Sequence, residues 1–440
     1  MQINKMTILL VRFSELKQKT RSIAMSKNVK NPNKILNDKT LLVTADVGKY
    51  INYCYARTPR GEELDPFKFH NTGLGFLMVY EIIKMFRKKH HLERIVFGIE
   101  STGNYGEPLI HFMVNRGIYM VQVNPLHTKK VKEMRGNSPN KTDQKDPKVI
   151  ADIIALNNSL KVVIPRGAAA ELDRFIHFRE ILLEDKKRAY NQLESSIVPV
   201  FPEFLHLFRD LQIKTVEFLL KTYPFPESII ELGLEGLTEK LYRVSRGRFG
   251  KEKAKALYEA ALSSAGIKEG LTGTLLMQEN LYEKIHLIEK QLYQVEDSIR
   301  IKLTEIPYSR YIMSIKGIGP IITAAIIGEV GDIRKYDCAQ QLQKLSGLNL
   351  YEISSGIQKG QRHITKRGRH LLRKMLYYAA LNVTKKNGIL HDTYNNHLKK
   401  KMTKTQALTA ISRKMIRIIY ALVRDRSEYI QEFDINKNAA

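Results

Sequence analysis

The sequence predicts an α/β domain built on a mixed sheet, then a long helical arm and a mainly helical C-terminal domain. Three observations carry that reading. Two strand patterns near residue 41 are separated by a turn too short for a helical crossover. Strand and helix patterns then alternate to about residue 156. Beyond residue 170, apolar residues recur at helical spacing through stretches without Pro or Gly.

The elements follow in order. Leu41–Asp46 and Lys49–Arg57 are apolar strands flanking a turn at Val47 and Gly48, so they pair as an antiparallel hairpin. Phe67–Asn71 is a third strand candidate and Gly75–Lys88 an amphipathic helix. Arg94–Ile99 (RIVFGI) is a short buried strand, and a helix over Gly106–Arg116 leads to the strand Ile118–Val123. A Lys-rich segment precedes a helix from Asp143 to Leu156. Glu171–Ile197, Ala254–Ser264 and Asn280–Lys302 are helical. In the last, Leu281, Ile285, Leu287, Ile288, Leu292, Val295 and Ile299 have the threes and fours of a helix stripe. Such long stripes fit an antiparallel arm or a coiled-coil dimer surface. The domains expected are a basic arm over 1–39, a catalytic α/β domain over 40–165, a helical linker over 166–305 and a C-terminal domain over 306–440.

Charge narrows the class of partner. Among 440 residues, 72 Lys and Arg oppose 45 Asp and Glu, a net charge of +27. An excess of that size points to a polyanion, because Lys and Arg replace the counterions condensed on a phosphate backbone. Only Cys54 and Cys338 occur, which argues against a disulfide framework or a structural zinc site. No apolar run approaches the ~20 residues that span a bilayer. The expectation is therefore a soluble, cytoplasmic chain with no membrane partner.

The C-terminal region concentrates features suited to phosphate. Ser314–Asp332 reads SIKGIGPIITAAIIGEVGD, like a helix-hairpin-helix turn. Gly317 and Gly319 would allow close backbone approach, and Pro320 would open the next helix. Residues 359–374 hold seven Lys or Arg and two His without one acid. Lys366, Arg367, Arg369, Arg373 and Lys374 are the side chains expected on nucleic-acid phosphates, with Arg373 sharing its helix with Leu371, Leu372 and Met375. Thr403–Arg426 is a further basic helix.

Four acids in the α/β domain stand apart. Asp46 ends the first strand, Glu100 ends RIVFGIE, and Asp143 and Asp146 lie three apart in KTDQKD at a helix start. Strand-end carboxylates project at the carboxyl edge of a sheet, where α/β sites form. Singly, each also fits a turn or a helix first turn. Together they would repel one another unless cations neutralised them. That donor set suits Mg²⁺ or Mn²⁺ in phosphoryl transfer, on a ribonuclease H-like fold.

On these residues the chain resembles the DEDD-type transposases of bacterial insertion sequences, a group related to Piv-type DNA invertases. The motifs are TADVGK, GIESTGNY, NKTDQKDPKVIADI, IKGIGPIITAAIIGEVGDIRKY, KLSGLNL, ISSG and ITKRGRHLLRKMLYYAA, and the likeness spans nearly all of 41–385. The resemblance implies a RuvC-like N-terminal domain in which Asp46, Glu100, Asp143 and Asp146 are the metal-binding catalytic acids. It also implies a nucleophilic Ser before the Gly of a Ser-Gly pair. That register selects Ser355, with Ser354 its neighbour. Family members usually carry Gly-Leu-x-Pro ahead of this Ser, whereas Leu350 holds the Pro place here. By its residues alone Ser355 is an ordinary turn serine with no His partner in a nearby triad motif.

The activity implied is cutting and rejoining of the element's own ends in donor and target DNA, guided by an element-encoded structured noncoding RNA. The four acids and Ser355 would form a composite site in a homodimer or homotetramer, near the bacterial nucleoid when active. Two other readings use the same residues. A Holliday-junction-type nuclease would keep the acids and use metal-activated water instead of Ser355. A non-enzymatic nucleic-acid-binding protein would use only the basic surfaces.

Overall fold

The structure is a computed structural model that describes residues 36–100, 103–135, 146–352 and 362–430. The chain divides into two compact units, Met1–Val162 and Val163–Ala440. Asp143, Ser354 and Ser355 lie outside the described residues, as does most of the basic N-terminal arm.

In the first unit, β1 (Thr40–Val47) and β2 (Ile51–Arg57) form the expected antiparallel hairpin. β3 (Glu63–His70) adds to β2 with an irregularity between Cys54 and Ala56. It starts four residues before the expected Phe67. Pro66 interrupts the apolar pattern, but β3 pairs on one side only, and an edge strand tolerates proline. Then come α1 (Gly73–Lys89), β4 (Arg94–Glu100), a 3₁₀ turn over Gly103–Gly106, α2 (Glu107–Asn115) and β5 (Tyr119–Val123). The Lys-rich segment forms α3 (Pro125–Arg135), which has too little apolar patterning to be read as a helix from sequence. α4 (Asp146–Ala155) and the short β6 (Ser159–Lys161) complete the unit.

The sheet order is β3-β2-β1-β4-β5-β6, with β1, β4 and β5 mutually parallel and the remaining pairs antiparallel. This mixed sheet is ribonuclease H-like. The central strands are buried on both faces, which explains their nearly unbroken apolar sequences. Leu42, Val96 and Val121 pack with Val149, Ile150, Ile153 and Ile154 of α4 on one face. Gly98 makes that packing close, since a Cβ there would lie 2.1 Å from Ile154 Cδ1.

The second unit is helical. α5 (Ala168–Ile197) is followed by α6 (Pro202–Leu207), α7 (Lys214–Thr222), α8 (Pro226–Ser245, kinked at Gly233) and α9 (Lys251–Leu262). α10 (Leu271–Thr304) begins nine residues before the expected Asn280. It runs antiparallel to α5, and the pairs Arg179–Glu296 and Lys186–Glu289, each 2.8 Å, register the two helices. α11 (Ser309–Met313), α12 (Pro320–Val330), a 3₁₀ turn over Ile333–Lys335 and α13 (Ala339–Leu345) follow. A small hairpin of β7 (Leu350–Glu352) and β8 (Arg362–Ile364) precedes α14 (His370–Val383), α15 (His391–Lys399) and α16 (Lys404–Asp425). Leu350 pairs with Ile364 at the start of that hairpin.

Two cores serve this unit. Leu193, Phe201, Phe204, Leu219, Leu237, Leu257 and Ile285 fill one. The other joins Leu172 and Ile176 of α5 and Ile299 of α10 to Ile326, Leu376, Ile411 and Met415. The long helices and the C-terminal helices thus share apolar contacts. Among the described residues, no helix is long and apolar enough to cross a membrane.

Candidate active site and its basic surroundings

Strand register brings two of the singled-out acids side by side. β1 and β4 are parallel through Ala45–Ile99, so Asp46 and Glu100 are the next residues on adjacent strands. Side chains alternate along a strand, and Thr44 and Gly98 both face α4, so Asp46 and Glu100 share that face. Both are half-buried at the carboxyl end of their strands. Asp146 opens α4 over the same face. Its neighbour's carbonyl, on Pro147, accepts a hydrogen bond from Thr44 Oγ1 at 2.6 Å, two residues from Asp46. This bond anchors the start of α4 to β1.

Asp146 is 8% exposed, and Lys132 of α3 reaches it with Nζ at 2.5 Å. A buried carboxylate needs such a counter-charge. The lysine marks a place where positive charge is stabilised beside Asp146, and an all-oxygen donor set of this kind suits a hard divalent cation. Lys132 is invisible to motif reading, being one of several lysines in KKVK.

A second group, in the helical unit, was not anticipated. Asp173 and His177 lie one turn apart on α5, and Glu329 projects from α12. One ligand atom from each lies within 4.8 Å of the others, so this carboxylate–histidine set is capable of holding a metal ion. His177 Nε2 stands 3.4 Å from Glu329 Oε1, and His177 Nδ1 is 2.9 Å from the Asp173 carbonyl. Glu329 is 4% exposed. Burial raises its carboxyl pKa, against the pull of Arg369 and His177. The helices meet closely there, since a Cβ on Gly328 would lie 2.8 Å from Asp173 Cα. The signal was present in sequence as Asp-x₃-His and a lone acid in the apolar run PIITAAIIGEV.

The basic stretch is less uniform than its composition. Lys366 and Arg367 are exposed, whereas Arg369 is half-buried and donates from Nη1 to the Glu329 carbonyl at 2.6 Å. Arg373 donates from Nη1 to the Ser346 carbonyl at 3.0 Å, and its partial burial lowers its pKa. Lys374 pairs with Glu180 of α5. Gly317 is exposed with φ +98°, in the left-handed region, and its turn rests against Asn382 of α14. Gly319 is extended and precedes Pro320 at the start of α12.

Comparison with known proteins agrees with this architecture. A family profile described as transposase matches residues 43–202, and one for the transposase IS116/IS110/IS902 family matches residues 309–395. The chain is 25% identical over 387 residues to an uncharacterized 44.8 kDa protein of insertion element IS116 from Streptomyces clavuligerus, covering 87% of this chain and 94% of the relative. It is 22% identical over 396 residues to the corresponding 43.6 kDa protein of IS110 from Streptomyces coelicolor, covering 89% and 96%. A mini-circle putative transposase for IS117, also from Streptomyces coelicolor, is 25% identical over 240 residues, 51% of this chain and 56% of the relative. With one profile resting on the sheet and its acids and the other on the C-terminal helices, the chain is a transposase of the IS110/IS116 DEDD-type family.

Proposed function

We propose that this transposase cuts and rejoins the DNA ends of its insertion sequence through a carboxylate-held metal centre and a serine nucleophile. The observation that carries the reading is the convergence of Asp46, Glu100 and Asp146 on one sheet face, secured by the Thr44–Pro147 bond. With Asp143 they would hold Mg²⁺ or Mn²⁺, which when bound polarises the scissile phosphate and stabilises the departing oxygen. The carboxylates would hold the ion, and Lys132, paired with Asp146 at 2.5 Å, would compete with it for that carboxylate.

Ser355 supplies the attacking oxygen. A bond forms between its Oγ and phosphorus while the ester bond to one deoxyribose oxygen breaks. The serine proton leaves, and the departing oxygen gains one. The phosphoserine link conserves the ester until a DNA hydroxyl attacks in turn and frees Ser355. An element-encoded RNA would read donor and target by base pairing, leaving the protein to grip backbones with Lys366, Arg367, Arg373, Lys374 and the Gly317–Gly319 turn, Arg369 being turned onto Glu329. Holding two ends together calls for a homodimer or homotetramer.

The test is incubation with flanking DNA, the candidate transcript and Mg²⁺, followed by denaturing electrophoresis. Wild-type protein should yield a protein–DNA adduct, and Ser355→Ala should abolish both adduct and joined product. Cleavage by wild-type protein with no adduct, unchanged by Ser355→Ala, would establish the water-using nuclease instead. DNA transactions insensitive to Mg²⁺ and to Asp46→Asn would leave only a binding protein.

A further inference from the structure

The segment Thr365–Arg369 links β8 to α14 and is tied down along its length. Thr365 N–H donates to the Asn349 carbonyl at 2.8 Å, Lys366 N–H to Gly347 at 2.9 Å, and Arg369 N–H to Leu345 at 2.8 Å. Gly368 sits so close to the end of α13 that a Cβ would lie 2.4 Å from Gly347 N and from the Leu345 carbonyl. Lys366 adopts φ +54°, a left-handed conformation costly for any residue with a Cβ. Such a conformation persists only where surroundings over-determine it. Arg373 Nη1 contributes by reaching the Lys366 carbonyl at 3.3 Å.

Beneath the segment lies Glu329, the one acid of α12. Arg369 Nη1 holds its carbonyl at 2.6 Å and stands 3.6 Å from its carboxylate, while His177 faces the other carboxylate oxygen. A buried charge this close to a guanidinium is costly alone but stable when paired. Although the set could hold a cation, Arg369 already supplies one from the protein itself. Arg369 is therefore turned inward, while Lys366 and Arg367 are exposed.

We infer that Glu329 is a positioning residue for nucleic-acid binding: through Arg369 it holds the Thr365–Arg369 turn so that Lys366 and Arg367 meet phosphates. The inference rests on the reading that this basic stretch grips a nucleic-acid backbone. Glu329 itself touches no phosphate.

The test uses the full chain and a short fluorescein-labelled DNA duplex, with affinity followed by anisotropy across a salt series. Removing one phosphate-binding cation lowers the slope of log affinity against log salt by about 0.9. Lys366→Ala with Arg367→Ala should therefore lower it by about 1.8 for the two cations. Glu329→Gln should lower the slope toward the same value, and adding it to the double alanine variant should change the slope no further. A purely structural role would reduce the fraction of active protein, measured by stoichiometric titration, and leave the slope alone. Arg369→Lys separates positioning from direct contact. It keeps the charge, so a direct phosphate contact would survive, but the shorter, non-planar ammonium does not reproduce the reach of Nη1 to Glu329. Under the inference Arg369→Lys lowers the slope as Glu329→Gln does. Unchanged slopes in both variants, or losses that simply add to those of Lys366 and Arg367, overturn it. An unchanged slope in the double alanine variant would remove the backbone-grip reading itself, and the inference with it.

Discussion

Two acidic groups among the described residues make different use of the same chemistry. In the sheet unit, Asp46 and Glu100 stand half-buried at strand ends, and Asp146 is matched by the ammonium of Lys132 on a long, partly exposed side chain. In the helical unit, Glu329 is sealed between α5 and α12 and neutralised by the fork of Arg369, fixed at the helix start of α14. A lysine is a compact charge on a flexible stem, whereas a guanidinium bridging a carbonyl and a carboxylate is preorganised. On the proposed reading the first arrangement would exchange its counter-charge for a metal ion, while in the second Arg369 is held against Glu329. Carboxylates gathered in a basic protein are thus not equivalent evidence of a metal centre; their counter-ions distinguish them.

Paired substitutions can break that comparison. Asp46→Asn should reduce strand cleavage by about 10³-fold, because a carboxylate proposed to hold the metal ion is lost, while its half-exposed place should keep the stability loss small. Glu329→Gln should do the reverse in stability, costing about 2 kcal/mol by leaving Arg369 without its carboxylate. The partial exposure of Arg369 keeps that loss below the cost of breaking a fully buried pair. Cleavage with Mn²⁺ and calorimetry on both variants check the contrast. A large stability loss in Asp46→Asn would show the strand-end acid to be structural.

The sheet site also depends on how closely α4 approaches. Gly98→Val should cost about 1–3 kcal/mol by overpacking, since even a Cβ there would run into Ile154. It should lower cleavage as well, because the displaced helix carries Asp146. Ile154→Ala in the same background should recover part of both, as read by melting and by cleavage rate. Full activity in a destabilised Gly98→Val protein would mean that Asp146 tolerates displacement, and that the site is looser than its anchoring implies.

Legibility followed periodicity and burial. The hairpin and the strands around Glu100 were readable because β1, β2 and β4 are short apolar runs bounded by turns. So was the placement of Asp46 and Glu100 at strand ends, since the site needs only the strand register. α3 was not readable because its helix is Lys-rich, and β6 because three residues carry no pattern. The inward turn of Arg369 was beyond composition. A run of cations looks uniform until tertiary packing sets Glu329, which lies 40 positions earlier, beneath one of them. The same limit applied to His177 and Asp173, whose partner comes from a helix far along the chain.

The smallest effect concerns the other acid of the IIGEVGD motif. Asp332 caps the 3₁₀ turn after α12, accepting from Arg334 N–H at 3.1 Å and from its Nε and Nη2 at 2.8 and 3.1 Å. Burial opposes its charge, but the Arg334 hydrogen bonds prevail and hold the carboxyl below its usual 3.8. A folded-state pKa below the unfolded one means that the ionised form stabilises the fold above pH about 4 and that this contribution fades as pH falls through the folded value. Asn remains a good cap, so Asp332→Asn removes mainly the charge. It should cost about 0.5–1 kcal/mol at neutral pH, as expected for a pair with Arg334 half exposed. The corresponding gap in melting temperature is about 1–3 °C, closing as pH falls below the usual 3.8. A gap that persists unchanged in acid would assign the stabilisation to the cap hydrogen bonds rather than to charge. Unlike Glu329, Asp332 would then hold its turn without electrostatic help, which sharpens the contrast between a lock made by a buried ion pair and one made by backbone geometry.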